Sequence, residues 1–148
     1  MKKTTKKIIG WVCYLAVLVG LVVGTPRLLS FALKTPYPMA SITSSSMWPA
    51  LKRGDLVFIK GVGSRGNIEV GDVIVYNNSL GFTIHRVVEL NQETLITKGD
   101  ANNTPDAPVK YGEVIGRAVK WGEEPFRIPW LGHISILLNK NLNAKNVF

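Results

Sequence analysis

Hydrophobic positions divide the chain into three patterns. The first is a continuous run. Between Lys7 and Thr25, the stretch IIGWVCYLAVLVGLVVG (residues 8–24) carries no charge, and its strongly polar atoms are confined to Trp11 and Tyr14. At about 1.5 Å per residue it predicts a helix of roughly 25 Å, at the short end for a membrane span. The run LLSFAL (28–33) extends it if Pro26 is tolerated as a kink and Arg27 snorkels. Being apolar on all faces, the segment fits a bilayer better than a soluble fold. The second pattern is a series of short runs rich in β-branched and aromatic residues, closed by Gly, Asp and Asn. They are Met39 to Ser44, Leu56 to Gly61, Val73 to Asn77, Phe82 to Leu90, Thr94 to Lys98 and Val114 to Trp121. The third is the tail, apolar from Pro129 to Leu138 and polar thereafter.

These patterns predict a mainly β protein. An N-terminal transmembrane helix is followed by a small folded-over β-sheet or barrel over residues 39–128. Residues 25–38 are expected as a juxtamembrane linker, stiffened at Thr35-Pro36-Tyr37-Pro38 by two prolines. The apolar part of segment 129–148 is too short to span a bilayer. It fits a core strand, a packed helix or an interfacial segment, and the polar end is expected to fray.

Composition bears first on topology. The chain of 148 residues has a formal charge of +8, which invites a nucleic-acid reading. Its distribution does not support one. Residues 1–35 hold six basic side chains and no acid, whereas the remaining 113 residues hold 12 basic and 10 acidic side chains. Four of the six, Lys2, Lys3, Lys6 and Lys7, make residues 1–7 a basic tail expected to stay in the cytoplasm. A cleaved secretory signal peptide is the competing reading. Its apolar run would be about 7–15 residues with a small-residue cleavage site. Here the run is longer, no A-x-A-like site follows, and Gly24-Thr25 leads straight into Pro26. An uncleaved anchor is the expectation. Either option places residues 35–148 outside the cytoplasm. The single cysteine, Cys13, excludes an internal disulfide framework, and with two histidines no multi-ligand metal site is expected. No cofactor is implied.

The candidate chemistry is that of a serine hydrolase. Such an enzyme needs an exposed serine on a tight turn, a base for its proton, and donors for an oxyanion. Ser44-Ser45-Ser46-Met47-Trp48-Pro49 ends a strand where Pro49 forbids simple continuation. Read alone it is a solvated turn. His85 lies in the alternating stretch Phe82 to Val88, and its ordinary pKa of about 6.5 suits a general base. Read alone it is a structural strand histidine. His133, beside Trp130, reads as interfacial or packing. Asp100 and Asp106, in Lys98-Gly99-Asp100-Ala101-Asn102-Asn103-Thr104-Pro105-Asp106, are candidates to orient the imidazole, and each alone reads as a loop cap.

Together the segments resemble type I signal peptidases of the serine–histidine branch, found in archaea, the endoplasmic reticulum and some Gram-positive bacteria. The resemblance is carried by the S-x-S-M-x-P box at Ser44 to Pro49, Gly54-Asp55 and Gly71-Asp72 before strands, and His85-Arg86-Val87. It extends to Lys98-Gly99-Asp100 with Asp106, and to Pro129-Trp130-Leu131-Gly132. Ala101, inserted before Asn102-Asn103, departs from the family's K-G-D-N-N. A histidine rather than a lysine at position 85 selects the branch.

The resemblance implies Ser46 as nucleophile, His85 as general base, Asp106 as third member and Asp100 in support. It also implies an oxyanion hole from the Ser46 N–H and the Ser44 hydroxyl. The expected reaction is cleavage of signal peptides from preproteins through an acyl-enzyme. Ile42 is expected in the wall of a shallow substrate pocket. Expected partners are preprotein signal peptides and membrane lipid, with room for association with the translocation machinery and none for nucleic acid. The expected location is the cell membrane, or the endoplasmic reticulum membrane in a eukaryote. The alternatives are an anchored β-domain that binds a partner without catalysis, and a Ser–Lys autopeptidase.

Overall fold

A computed structural model of the chain describes residues 2–63, 67–79 and 81–137. Helix α1 spans Lys2–Leu33, and its apolar side chains are exposed along its length. Residues Thr5–Leu33 are long and apolar enough to cross a membrane. The helix runs through Pro26 instead of ending near it. Proline removes one backbone donor, here the one that would reach the Val22 carbonyl four residues earlier, and a helix in an apolar setting tolerates this. Arg27 Nη1 folds back to the adjacent Val23 carbonyl at 3.2 Å. Helical structure therefore continues through most of the segment expected as linker, and the connection to the sheet is confined to residues 34–38.

The body is antiparallel. Its strands are β1 (Met39–Ser41), β2 (Leu56–Gly61), β3 (Val73–Asn78), β4 (Gly81–Leu90), β5 (Thr94–Lys98), β6 (Val109–Lys110), β7 (Val114–Ala118), β8 (Lys120–Trp121), β9 (Glu124–Pro125) and β10 (Arg127–Ile128). The main sheet is ordered β1-β2-β7-β3-β4-β5-β6, with β10 also on β2, while β8 and β9 form a separate hairpin. Among the described residues β1 and β6 do not pair, so the sheet folds over without closing. The barrel alternative is thereby corrected to an open sheet. The long run expected at Val114 to Trp121 is broken at Val119, and β8 turns away into its own hairpin.

Strand β3 explains the folding over. Its residues Val73, Ile74, Val75 and Tyr76 are all buried. Such a continuous apolar run needs cover on both faces. Val73 and Val75 join one core with Ile42, Met47, Leu51, Val57, Ile59 and Ala118. Ile74 and Tyr76 join a second with Ile68, Val87, Leu95 and Val109. At roughly 1.5–3 kcal/mol per fully buried aliphatic side chain, both clusters contribute substantially to stability.

The two Gly-Asp turns carry matching devices. Gly54 and Gly71 have φ of +90° and +95°, which favours glycine. The buried carboxylates that follow cap their own turns, Asp55 accepting the Lys52 N–H at 2.9 Å and Asp72 the Glu69 N–H at 3.0 Å. Each also pairs with an arginine, Arg127 at 2.9 Å for Asp55 and Arg117 at 3.2 Å for Asp72. Lys120 approaches the other Asp72 oxygen at 2.6 Å. Residues 132–137 are helical and pack against the first of these turns. A side chain on Gly54 would collide with the His133 imidazole, and Ser135 shares a 2.5 Å hydroxyl contact with Ser41. His133 is thus a packing residue, in edge-on contact with Trp130. The end of the apolar tail and the polar residues after it, 138–148, lie outside the described residues.

Burial pushes the Asp72 carboxyl up, but Lys120, the Glu69 N–H and Arg117 outweigh it and hold the group below the ordinary aspartate range. A depressed folded value means stabilisation that is complete above the unfolded value and lost as pH falls through the folded one. Asp72→Asn should therefore lower stability near neutral pH by about 1–3 kcal/mol. Its deficit against wild type should shrink in acid, as read by thermal melting in detergent across a pH series.

Candidate active site

Ser46 sits on a turn rooted in the first core. Met47 and Leu51 are completely buried, and the Leu51 N–H donates to the Met47 carbonyl at 2.8 Å. The Trp48 N–H closes a tighter bend on the Ser45 carbonyl at 3.1 Å. A second loop grips the serine from outside. The Ala101 N–H donates to the Ser46 carbonyl at 2.8 Å, and a Cβ on Gly99 would lie only 2.7 Å from that oxygen. Gly99 is therefore needed for close approach. Ala101, which departs from the family pattern, provides the bond.

Strand register places the other groups. In the β3–β4 pair His85 lies opposite Ile74 and Thr83 opposite Tyr76, while in β4–β5 Val87 lies opposite Thr97. Directly opposed residues share a face, so His85, Tyr76 and Thr97 look onto the side of the second core. The loop after β5 returns over this face, tied by the Asp106 N–H to the Thr97 carbonyl at 2.8 Å.

The result is a continuous chain of hydrogen bonds. His85 Nε2 is 3.1 Å from Ser46 Oγ, and His85 Nδ1 is 2.6 Å from Asp106 Oδ2. With Asp106 ionised, Nδ1–H donates to the carboxylate, leaving the Nε2 lone pair to accept the Ser46 proton. Ser44 Oγ lies 3.0 Å from Ser46 Oγ. Because the one Ser46 proton is committed to His85, the Ser44 hydroxyl is the donor in that pair. Asp106 Oδ2 also accepts from Thr97 Oγ1 at 2.7 Å and from the Tyr76 hydroxyl at 3.2 Å. Burial, and with it the Asp106 charge, raise the Tyr76 phenol above its ordinary value against the opposing Thr97 bond. Tyr76 thus stays a donor throughout the neutral range.

Of the residues expected at the site, Ser44, Ser46, His85 and Asp106 come together. Asp100 does not reach His85. Its carboxylate takes two bonds from Arg86, at 2.9 Å from Nε and 2.8 Å from Nη2. Asp100 sits between Gly99 and Ala101, so this pair ties the strand of His85 to the loop that grips Ser46. Sequence reading missed Tyr76 and Thr97. The available signal was a hydroxyl on an otherwise apolar strand face, which must find a buried partner. Among the described residues no cluster of side chains could hold a metal ion.

A cleft of about 600 Å³ opens beside Ser46. Ile42, only 2% exposed, lines it with Met39, Ser41, Thr83 and His85. Two backbone edges free of partners among the described residues border it. Among those residues β1 pairs with β2 alone, and residues 81–85 of β4 pair with β3 on one side, while β5 joins from Arg86 onward.

A hydroxyl, an imidazole and a carboxylate in series, beside a groove walled by free strand edges, make up the working parts of a serine peptidase. No protein-family model matches the chain. Individual relatives do. The signal peptidase complex catalytic subunit SEC11 of Fusarium vanettenii is 35% identical over 127 residues, covering 80% of this chain and 74% of the relative. Its counterpart from Zygosaccharomyces rouxii is 31% identical over 134 residues, covering 79% and 75%. That of Pyricularia oryzae is 33% identical over 122 residues, covering 76% and 70%. The chain belongs to the type I signal peptidase family, in the branch of these catalytic subunits.

The two aspartates should separate in kinetics. Asp106→Asn should lower kcat by about 10⁴-fold through loss of the imidazole tautomer. Tyr76→Phe, which removes one donor worth about 1 kcal/mol, should cost roughly fivefold in kcat at unchanged KM. Asp100→Asn should fall far short of the Asp106 effect. Steady-state kinetics on one preprotein reads all three.

Proposed function

We propose that this signal peptidase is a single-pass, membrane-anchored serine endopeptidase that uses Ser46, His85 and Asp106 to remove signal peptides from translocated preproteins. The observation that carries the reading is the unbroken hydrogen-bonded series Ser46 Oγ, His85 Nε2, His85 Nδ1, Asp106 Oδ2. Ser46 Oγ attacks the scissile carbonyl carbon as its proton passes to His85 Nε2. The oxyanion that forms is met by the Ser46 N–H and the Ser44 hydroxyl, already poised beside Ser46 Oγ. Collapse breaks the C–N bond, and His85 returns the proton to the leaving amine. Water, deprotonated by His85, then hydrolyses the acyl-enzyme ester and restores Ser46. Asp106 stays ionised throughout, orienting the ring and stabilising the imidazolium. Asp100 supports the site through Arg86.

The substrate enters extended. Its main chain adds as a strand beside Met39 to Ser44, with the free edge of β4 opposite. Ile42 forms part of a shallow apolar wall that favours small residues at the cut. The basic tail holds the N-terminus in the cytoplasm and the sheet lies on the far side of the membrane, whether that is the cell membrane or, in a eukaryote, the endoplasmic reticulum. Lipid surrounds α1. Sharing a bilayer with its substrate raises the effective concentration of both. The relatives are subunits of a signal peptidase complex by name, and this chain is placed beside partner subunits and the translocation machinery by the same reading. Nucleic acid has no role in it, since the body is nearly neutral.

Ser46→Ala should reduce preprotein processing in membranes on the order of 10⁶-fold. Processing near the wild-type rate would remove Ser46 from the mechanism. His85→Lys should not restore activity, because Asp106 beside that position holds an ammonium charged and unable to take a proton.

A further inference from the structure

The membrane helix does not hang from the sheet on a free linker. At its end the Thr35 N–H donates to the Ser30 carbonyl at 3.2 Å and the Lys34 N–H to the Phe31 carbonyl at 3.4 Å. Lys34 occupies the left-handed region at φ 53°. This is a helix stop at which glycine is the usual residue, so a lysine there must be held by its surroundings. The surroundings are evident. The Lys34 carbonyl lies directly over Gly61, the last residue of β2, where any Cβ would collide with it. Gly61 lies opposite Gly116 in β7, and a Cβ on Gly116 would stand 2.6 Å from the Lys60 carbonyl. Thr35 is buried, and its hydroxyl accepts the Tyr37 N–H at 3.2 Å. The Pro38 carbonyl accepts the Ile59 N–H at 2.9 Å. Between these ties, Tyr37 lines the catalytic cleft and meets the Phe82 ring at 5.0 Å.

We propose that the seating of the Lys34 carbonyl on Gly61 locks the membrane helix to β2 and so fixes the height of the cleft above the bilayer. Gly61 and Lys34 are then positioning residues that decide which membrane-held peptide bonds reach Ser46. The inference rests on the reading of α1 as a membrane anchor and of the cleft as a peptidase site. A substrate whose apolar segment lies in the same bilayer presents each later bond about 3.3 Å further out along an extended chain. A misplacement of about 1 Å can cost 10²-fold in rate. A rigid joint therefore converts a shared membrane into a register between bond and nucleophile. A free linker would let the cleft search many heights.

The full chain is placed in phosphatidylcholine–phosphatidylglycerol vesicles with two substrates. One is a membrane-inserted preprotein series in which the cleavable bond is moved residue by residue away from the apolar segment. The other is a short water-soluble peptide with the same cleavage region. Wild type should show a sharp optimum along the series. Gly61→Ala should lower processing at that optimum by about tenfold or more and broaden it, while peptide turnover stays within about twofold. A Gly-Ser pair inserted between Thr35 and Pro36 leaves Gly61 intact and should broaden the optimum in the same way, again with peptide turnover kept. Equal losses on both substrates in both variants would reduce the junction to a folding role and overturn the inference. An optimum left unchanged in both would overturn it as well. A wild type that cleaves neither substrate would overturn the peptidase reading and this inference with it.

Discussion

Strand β3 has to bury both of its faces, and the rest of the molecule is arranged around that requirement. Val73 and Val75 need cover on one side, Ile74 and Tyr76 on the other. A flat sheet could cover one face, so the sheet folds over and builds two cores that share a strand. The reactive groups divide between them. Ser46 is rooted through Met47 and Leu51 in the first core, while His85, Tyr76 and Thr97 stand on the side of the second. The 3.1 Å contact between Ser46 and His85 is therefore a contact between two halves of the fold.

Charge is used in two ways in the body. Asp55 and Asp72 are nearly inaccessible, and each spends its carboxylate on a turn N–H and on cations from distant strands. Such pairs offset the cost of burying a charge, and losing one partner leaves that cost exposed. Asp106 is arranged otherwise. One of its oxygens gathers Thr97, Tyr76 and His85, so the carboxylate is held still while its charge remains directed at the imidazole. Arg86 completes the arrangement from the back, by binding the Asp100 that lies in the loop gripping Ser46.

The strands were legible where one pattern ran without interruption. Leu56–Gly61 and Thr94–Lys98 were read with their observed bounds, and β3 and β4 to within a residue. The short strands β6, β9 and β10 were not. Pairs of residues carry no period, and only neighbours such as β5 and β2 make them strands. The sequence left two stops open for the helix, before Pro26 or near residue 33, because proline is a strong local signal for a break that an apolar setting overrides, and the helix takes the second. Of the site, Ser46 and His85 were visible because their boxes are local. Asp100 and Asp106 were both visible, and the family resemblance put Asp106 first, but their spacing alone could not say which one meets His85, since a loop can present either.

Visible in the sequence alone are an apolar segment ahead of a β-rich body, a basic charge gathered around that segment, and the side chains for serine, histidine and aspartate chemistry. These are properties of composition and short-range order, which a linear chain displays directly. Tertiary structure alone decided that Asp106 and not Asp100 takes His85, and that Tyr76 and Thr97 support it. It also decided that Ala101 holds the Ser46 carbonyl and that Gly61 receives the end of helix α1. Each of these is a meeting of segments far apart in the chain. Strand register and folding over β3 set such meetings, and no stretch of neighbouring residues encodes them.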